Sequence, residues 1–198
     1  MSRFSILLAD ALQETVPLRA AQVSALQEHC ELLQRWNRRM NLTSVRKLDE
    51  IVLRHYAESV FLAAQLPPGA LRIADIGSGP GFPGLPVAVM RPECRLTLVE
   101  SNSRKCVFLR ESTRAFTNVT VAECRAASLR ESFDWVVSRA VAWREVLPVT
   151  HRIAESTAFL LGEADAKGLS ERGEFVWKYP IPIPWGDRRV ILIGERST

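Results

Sequence analysis

A glycine-rich loop with a carboxylate after it is the strongest chemical signal in the sequence. The apolar run ending at Ile76 leads directly into Gly77–Gly84, a segment with four glycines in eight residues. Glycine permits a sharp turn and leaves room for a ligand against the backbone. The next apolar run ends at Glu100, whose carboxylate could accept both hydroxyls of a ribose. The pattern predicts a site for a nucleoside-containing cofactor.

The glycine spacing fits two classes of cofactor. Gly79-x-Gly81-x-x-Gly84 matches the dinucleotide fingerprint and would indicate a dinucleotide-dependent oxidoreductase. The order Asp-x-Gly-x-Gly-x-Gly, which begins at Asp75, is typical of S-adenosylmethionine (SAM) sites, where the acidic group can meet the methionine ammonium. Pro83 also removes a backbone donor that a pyrophosphate would use, whereas SAM has no phosphate. We therefore favour SAM and keep the oxidoreductase as an alternative.

The segment after the fourth apolar run restricts the methyl acceptor. Ser138–Val141 is not the Asn/Asp-Pro-Pro-Tyr type of loop that binds an exocyclic amino group, and it contains no cysteine for a covalent adduct with a pyrimidine. Guanine N7 has an in-plane lone pair and no proton to remove, so alignment of donor and acceptor is sufficient. We assign no catalytic base and expect Arg139 to position the cofactor or the target base.

An α/β fold would position these residues. The first 66 residues have helical apolar spacing, and Pro67-Pro68-Gly69 ends the second helix. From residue 71, short apolar runs alternate with helix-length segments, which predicts a mostly parallel sheet. A proline-rich segment too short for a helix separates the last two runs, so they should form an antiparallel hairpin. The seven predicted strands are 71–76, 95–100, 119–122, 133–138, 157–161, 173–179 and 188–195.

Composition excludes several other classes. The chain has 198 residues, 47% of them hydrophobic, a net charge of +4, and no apolar run long enough for a membrane span or a signal peptide. The four cysteines are scattered without a CxxC pair, so we expect no metal site and reduced, buried thiols in the cytoplasm; they are Cys30, Cys94, Cys106 and Cys124. The positive charge is compatible with a polyanionic partner.

Five motifs in order resemble the RsmG family, also called glucose-inhibited division protein B (GidB). They span about residues 20–145 and lie at Trp36–Thr43, Arg54–Ser59, Asp75–Pro86, Leu98–Lys105 and Ser138–Ala142. That family methylates guanine N7 in the 530 loop of small-subunit (16S) ribosomal RNA, using SAM.

The resemblance implies a class I SAM-dependent methyltransferase, with a Rossmann-like seven-stranded sheet in residues 69–198 and a helical extension in residues 1–68. It also implies that 16S ribosomal RNA or the 30S particle is the partner, and we expect a monomer. The implied cofactor-binding residues are Gly77, Gly79 and Phe82 near the methionine portion, Glu100 near the ribose, Ala126 and Ala127 at the adenine, and Arg139.

Two departures from the family pattern leave another function open. Where the family usually has Arg-Ala-Glu, this chain has Arg125-Ala126-Ala127. The carboxylate at the adenine end is therefore missing, and Glu123 is a possible substitute. The family's Leu-Lys-Gly appears as Leu161-Gly162-Glu163, and its basic Pro-Arg-Lys tail is absent. A non-catalytic or weakly active RNA-binding relative is therefore an alternative.

The helical N-terminal segment is the candidate RNA interface. Between residues 31 and 56, arginine and lysine outnumber the acidic residues, and arginine can contact phosphates. Trp36 could stack on a base or pack inward, and His55 could equally be a structural histidine. The candidate RNA-binding residues are Arg35, Arg38, Arg39, Arg54 and His55.

Overall fold

The computed structural model describes residues 1–12 and 15–196 and contains one eight-stranded sheet. The strand order is β3-β2-β1-β4-β5-β8-β6, with β7 also paired to β8. Neighbours from β3 to β5 are parallel, whereas β8 runs antiparallel to β5, β6 and β7. The strands are β1 (Arg72–Ile76), β2 (Arg95–Glu100), β3 (Val119–Glu123), β4 (Phe133–Arg139), β5 (Ala154–Gly162), β6 (Val176–Trp177), β7 (Ile181–Pro182) and β8 (Arg189–Glu195).

Helices connect the strands and precede the sheet. Asn102 caps the start of α6, because its side-chain oxygen accepts hydrogen bonds from the backbone N–H groups of Arg104 and Lys105 at 3.0 and 3.2 Å. A π-helical turn, Val52–Ala57, joins α3 directly to α4. The helices are α1 (Arg3–Leu12), α2 (Ala20–Met40), α3 (Leu48–Ile51), α4 (Glu58–Gln65), α5 (Gly84–Met90), α6 (Ser103–Ser112), α7 (Trp143–Ile153) and α8 (Glu163–Ser170).

Alternating strand residues fill two hydrophobic clusters, one on each face of the sheet. On β4, Trp135 and Val137 join the cluster that contains the N-terminal helices, and Val136 joins the cluster under α7 and α8. The first cluster extends from Phe4 to Ile193, so the helices that precede the sheet share its core. The predicted boundary at residue 68 falls in the turn between α4 and β1.

The fold class and strand positions agree with the sequence prediction, with two differences. Ile181–Pro182 adds a short eighth strand, because the proline-rich segment doubles back along β8. The predicted strand 173–179 pairs only at Val176–Trp177. Residues 13, 14, 197 and 198, which the predicted helical region and domain bounds include, lie outside the described residues. No helix in the described part of the chain is both long and apolar enough to cross a bilayer.

The topology brings the loop, the carboxylate and the arginine together. β1 lies between β2 and β4, and all three are parallel, so Ile76, Glu100 and Arg139 end at the same edge of the sheet. The strand order also reverses between β1 and β4, and ligands bind at such reversals in open α/β sheets. The carboxyl edge of these three strands is therefore the first location to search for a site.

Candidate functional site

Gly77 and Gly79 shape the loop that leaves β1. Both have positive φ, 75° and 56°, where only glycine is free of strain. A Cβ atom at Gly77 would lie 2.3 Å from Cγ2 of Val141, so this glycine permits the close approach of the loop that follows β4. At Gly79 a Cβ atom would meet nothing closer than a backbone oxygen at 3.9 Å. The backbone at Gly79 therefore borders open space, which we call the cradle at Gly79.

Glu100 holds the loop in place. Its carboxylate is buried and accepts hydrogen bonds from the backbone N–H groups of Gly79 (3.0 Å) and Asn102 (2.8 Å). Each carboxylate oxygen has two acceptor positions, so capacity for further donors remains. This geometry fits the predicted role of accepting ribose hydroxyls.

Two cavities meet at Glu100. The larger, about 550 Å³, lies between the glycine loop, the 42–45 segment and Arg139. The smaller, about 300 Å³, lies between the 124–127 segment and α7. Gly77, Glu100, Ser101 and Val141 line both. An elongated ligand with its ribose beside Glu100 would extend into both cavities, so the residues present fit SAM.

Arg139 belongs to a buried ionic network. Its guanidinium donates from Nη1 to Nδ1 of His55 at 2.9 Å and from Nε to the Glu58 carboxylate at 3.5 Å. The same Glu58 oxygen accepts a hydrogen bond from Arg189 at 2.9 Å. Because the Glu58 side chain is only 2% exposed, the two arginines are what balances its charge. Arg139 thus pairs with an acid of the protein itself, and its role toward the cofactor or the target base stays a prediction.

His55 orients Arg139. Nδ1 accepts from the arginine, so the ring proton lies on Nε2, which donates to the Thr43 hydroxyl at 2.9 Å. The ring is stacked on Phe82 with centroids 4.8 Å apart. Both ring nitrogens are therefore engaged within the protein, and His55 lines the cavity wall without a free nitrogen for an RNA phosphate. These contacts favour the structural interpretation of His55, and its contact with RNA stays a prediction.

Burial, reinforced by the positive charge of Arg139, lowers the pKa of His55 to about 3 from its ordinary 6.5. Below about pH 6.5 the unfolded chain binds a proton that the folded chain does not, so stability decreases as the pH falls. The variant His55→Asn keeps an acceptor for Arg139 but does not titrate. Between pH 7 and 4.5 we expect it to lose about 2 kcal/mol less unfolding free energy than the wild type.

Urea unfolding across this pH range measures the difference. His151→Asn is the matched control, because that ring is exposed, and it should keep the wild-type pH dependence. Equal losses in the wild type and His55→Asn would contradict a neutral, buried His55.

Phe82 is part of an aromatic group beneath the cavity. It is 3% exposed and contacts His29, His55 and Tyr56 with centroid separations of 5.5, 4.8 and 5.0 Å. The Tyr56 hydroxyl and Nδ1 of His29 share a hydrogen bond of 2.7 Å. Phe82 thus connects the glycine loop to the N-terminal helices and also lines the larger cavity.

Asp75 has a structural role instead of the predicted contact with a methionine ammonium. The side chain is fully buried beneath the loop, accepts a hydrogen bond from the Gly84 backbone N–H at 2.9 Å, and is not among the residues that line the cavities. Burial raises its pKa to about 7, while the Gly84 hydrogen bond opposes that rise. Its interaction fixes the start of α5 against β1.

The adenine end contains the predicted alanines but not the predicted substitute carboxylate. Ala126 and Ala127 line the smaller cavity. Glu123 is not among its lining residues and pairs with Arg110 at 2.7 Å, so its proposed substitution for the family carboxylate is wrong. Sequence reasoning missed Glu145, which lines this cavity from α7.

Exposed arginines lie on α2 and on the segment that follows it. Arg54 lines the cavity itself, and none of the α2 arginines pairs with a carboxylate among the described residues. Trp36 is half-buried and packs edge-on against Phe108 at 5.6 Å, which favours the inward-packing interpretation. The exposed members are Arg35, Arg38, Arg39, Arg46 and Arg54, which we call the arginine ridge.

Three of the four cysteines are buried free thiols, as predicted: Cys30, Cys94 and Cys106. Cys124 is half-buried and lines the smaller cavity. Within residues 1–12 and 15–196, no group of three or more His, Cys, Asp or Glu side chains is arranged to hold a metal ion.

The chain is similar in sequence to a family of ribosomal RNA methyltransferases. The family model described as "GidB: rRNA small subunit methyltransferase G" matches residues 22–170. Proteins named ribosomal RNA small subunit methyltransferase G are 34% identical in Xylella fastidiosa strain M23, over 92% of both chains, and 35% identical in Xanthomonas campestris pv. campestris strain B100, over 96% of this chain and 95% of that one.

The solved structure of precorrin-6y C5,15-methyltransferase from Geobacter metallireducens has the same fold. It superposes with a TM-score of 0.54 at 15% identity, over 80% of this chain and 92% of the other. The family model matches most of the chain, and the relative from Xylella fastidiosa is covered over 92% of its length. The chain therefore belongs to the GidB family of small-subunit ribosomal RNA methyltransferases.

Proposed function

We propose that the protein transfers a methyl group from SAM to N7 of a guanine in the 530 loop of 16S ribosomal RNA. The observation that carries this proposal is the pair of cavities meeting at Glu100, one bounded by Ala126 and Ala127 and the other by Arg139. Arg54, one member of the arginine ridge, lines the second of these. Membership of the GidB family favours this function over a dinucleotide-dependent oxidoreductase.

The chain's residues have complementary roles toward the cofactor. SAM supplies an electrophilic methyl group on a sulfonium when bound. The cradle at Gly79 admits a ligand against the backbone, and the spare acceptor positions of Glu100 suit ribose hydroxyls. Phe82 lines the wall of the larger cavity, next to His55.

The cavity chemistry favours an acceptor that has no proton to lose. His55 is the histidine in the wall of the larger cavity, but its nitrogens are engaged and burial keeps it neutral, with its pKa lowered to about 3. Glu100 accepts two backbone hydrogen bonds. Guanine N7 attacks through its own lone pair, so it needs alignment and no general base. Among the described residues Nη2 of Arg139 has no hydrogen-bond partner, which leaves it available to donate to a guanine carbonyl or to the cofactor carboxylate.

The arginine ridge should bind the RNA backbone. We expect Arg35→Ala/Arg38→Ala/Arg39→Ala to weaken RNA binding at least about tenfold and to make it less salt-dependent, because each lost phosphate contact reduces counterion release. Filter binding to a 530-loop RNA across a salt series measures both effects, and calorimetry should give an unchanged SAM affinity. Arg95→Ala is the matched control, since this exposed arginine begins β2 at the opposite edge of the sheet. An unchanged salt dependence in the triple variant would contradict the interface.

Transfer of a labelled methyl group tests the function directly. The purified protein and labelled SAM are incubated with unmethylated 30S particles and with naked 16S ribosomal RNA, and the product is mapped by mass. We expect one 7-methylguanosine in the 530 loop. SAM and RNA binding without transfer would instead support the non-catalytic relative, and modification at another atom would overturn the N7 assignment.

A further inference from the structure

The smaller cavity contains a carboxylate that has no partner. Glu100 and Glu145 both line it, but the Glu100 oxygens already accept backbone hydrogen bonds. Glu145 lies in the first turn of α7, its side chain is exposed, and no hydrogen bond or ion pair engages its carboxylate among the described residues. A carboxylate that lies in a cavity wall and has no hydrogen-bond or ion-pair partner is an available hydrogen-bond acceptor.

The neighbouring backbone offers fewer free acceptors. The carbonyls of Arg125 and Ala126 accept N–H groups of their own turn at 2.8 and 3.1 Å. The carbonyl of Ala127 accepts from Arg130 at 3.0 Å and from Arg152 at 3.2 Å. These hydrogen bonds fix the turn against α7. The side-chain oxygens in the cavity wall belong to Glu100, Ser101 and Glu145. Glu100 is the proposed ribose acceptor and Ser101 is its neighbour in the chain, whereas Glu145 reaches the cavity separately, from α7.

We propose that Glu145 accepts a hydrogen bond from the exocyclic amino group of the cofactor's adenine, and so selects a 6-amino purine over a 6-oxo purine. The inference rests on the proposed use of SAM. Val141 lines both cavities, whereas Arg139 lines only the larger one and Glu145 only the smaller one. Glu145 is held on the first turn of α7, which begins two residues after Val141. A 6-oxo group would present an acceptor to the carboxylate, and two acceptors repel.

Two ligands and two variants test the assignment. The ligands are S-adenosylhomocysteine and S-inosylhomocysteine, which differ at the 6-position, and binding is measured by calorimetry without any turnover. We expect the wild type to prefer the adenosyl ligand by about tenfold or more, because hydrogen bonds to charged groups are strong. Glu145→Ala should lose about tenfold in affinity for the adenosyl ligand and little for the inosyl ligand. Glu145→Gln, whose amide can donate, should bind the inosyl ligand more tightly than the wild type does.

Asp165→Ala controls for the loss of an acidic residue from a first helical turn. Asp165 occupies that position in α8 and is exposed. Asp165→Ala should leave the affinities for the adenosyl and the inosyl ligand unchanged. Equal affinity changes for the two ligands in Glu145→Ala, or none for either, would overturn the assignment of Glu145 while leaving SAM use intact. Failure of the folded wild type to bind S-adenosylhomocysteine or SAM would overturn the proposed function itself and the inference with it.

Discussion

Replacement of Gly77 by alanine is expected to lower the affinity for SAM by about 100-fold, and Gly77→Asp to abolish detectable binding. The added Cβ atom would lie 2.3 Å from Cγ2 of Val141, and the φ of 75° is strained for any side chain. Overpacking of this kind displaces the backbone or the neighbour at a cost of roughly 1–3 kcal/mol. Here the displaced parts are the walls shared by the two cavities, so binding should be affected more than folding.

Gly69→Ala provides the matched control for backbone strain. Gly69 also has positive φ, 108°, but a Cβ atom there would meet nothing within 4 Å. Calorimetric titration with SAM and thermal unfolding should be run on both variants. We expect Gly69→Ala to lose some stability and keep SAM affinity. If Gly77→Ala binds SAM as the wild type does, the cofactor does not use the loop next to Val141.

Neutralising Glu58 is expected to lower the free energy of unfolding by about 3 kcal/mol and to reduce methyl transfer. The carboxylate balances Arg139 and Arg189, whose side chains are 12% and 25% exposed. Glu58→Gln would leave both guanidinium groups partly buried without an acid, and Arg139 would lose one of its two fixed contacts. Urea unfolding and single-turnover methyl transfer measure the two effects.

The matched control is Glu155→Gln. Glu155 pairs with Arg196, but its side chain is 70% exposed, and exposed pairs contribute only about 0–1 kcal/mol. If Glu58→Gln is as stable as this control, solvent must stabilise the charges of Arg139 and Arg189 in place of the carboxylate. Unchanged transfer by a destabilised but folded Glu58→Gln protein would show that Arg139 does not depend on Glu58 for its position.

The parts of the site that are local in sequence could be predicted from it. The loop after β1 and the carboxylate ending β2 are set by glycine content and strand endings, and the parallel sheet brings them together. Asn102 also caps α6, and asparagine is a preferred residue at that position. These features depend on backbone geometry within one β-α-β unit, so patterns of neighbouring residues are sufficient to predict them.

The parts that depend on contacts between distant elements could not be predicted. Glu58 bonds Arg139 and Arg189 from positions 81 and 131 residues away. An acid within an apolar helical stripe was the only local signal for it. Asp75 also fits a SAM motif, yet its orientation beneath α5 is decided by the backbone N–H of Gly84. The exposure of Glu145 to a cavity depends on how α7 packs, which no motif records.

Strand β8 completes the network around Arg139. Arg189 begins β8, which is inserted between β5 and β6, and the nearby Trp185 donates a hydrogen bond to the carbonyl of Leu53 in the N-terminal region. During translation Arg189 is synthesised 131 residues after Glu58. A nascent chain that already contains the glycine loop, Glu100 and Arg139 therefore still lacks the second arginine that neutralises Glu58. The ribosome must therefore synthesise β8 before this charge cluster can form.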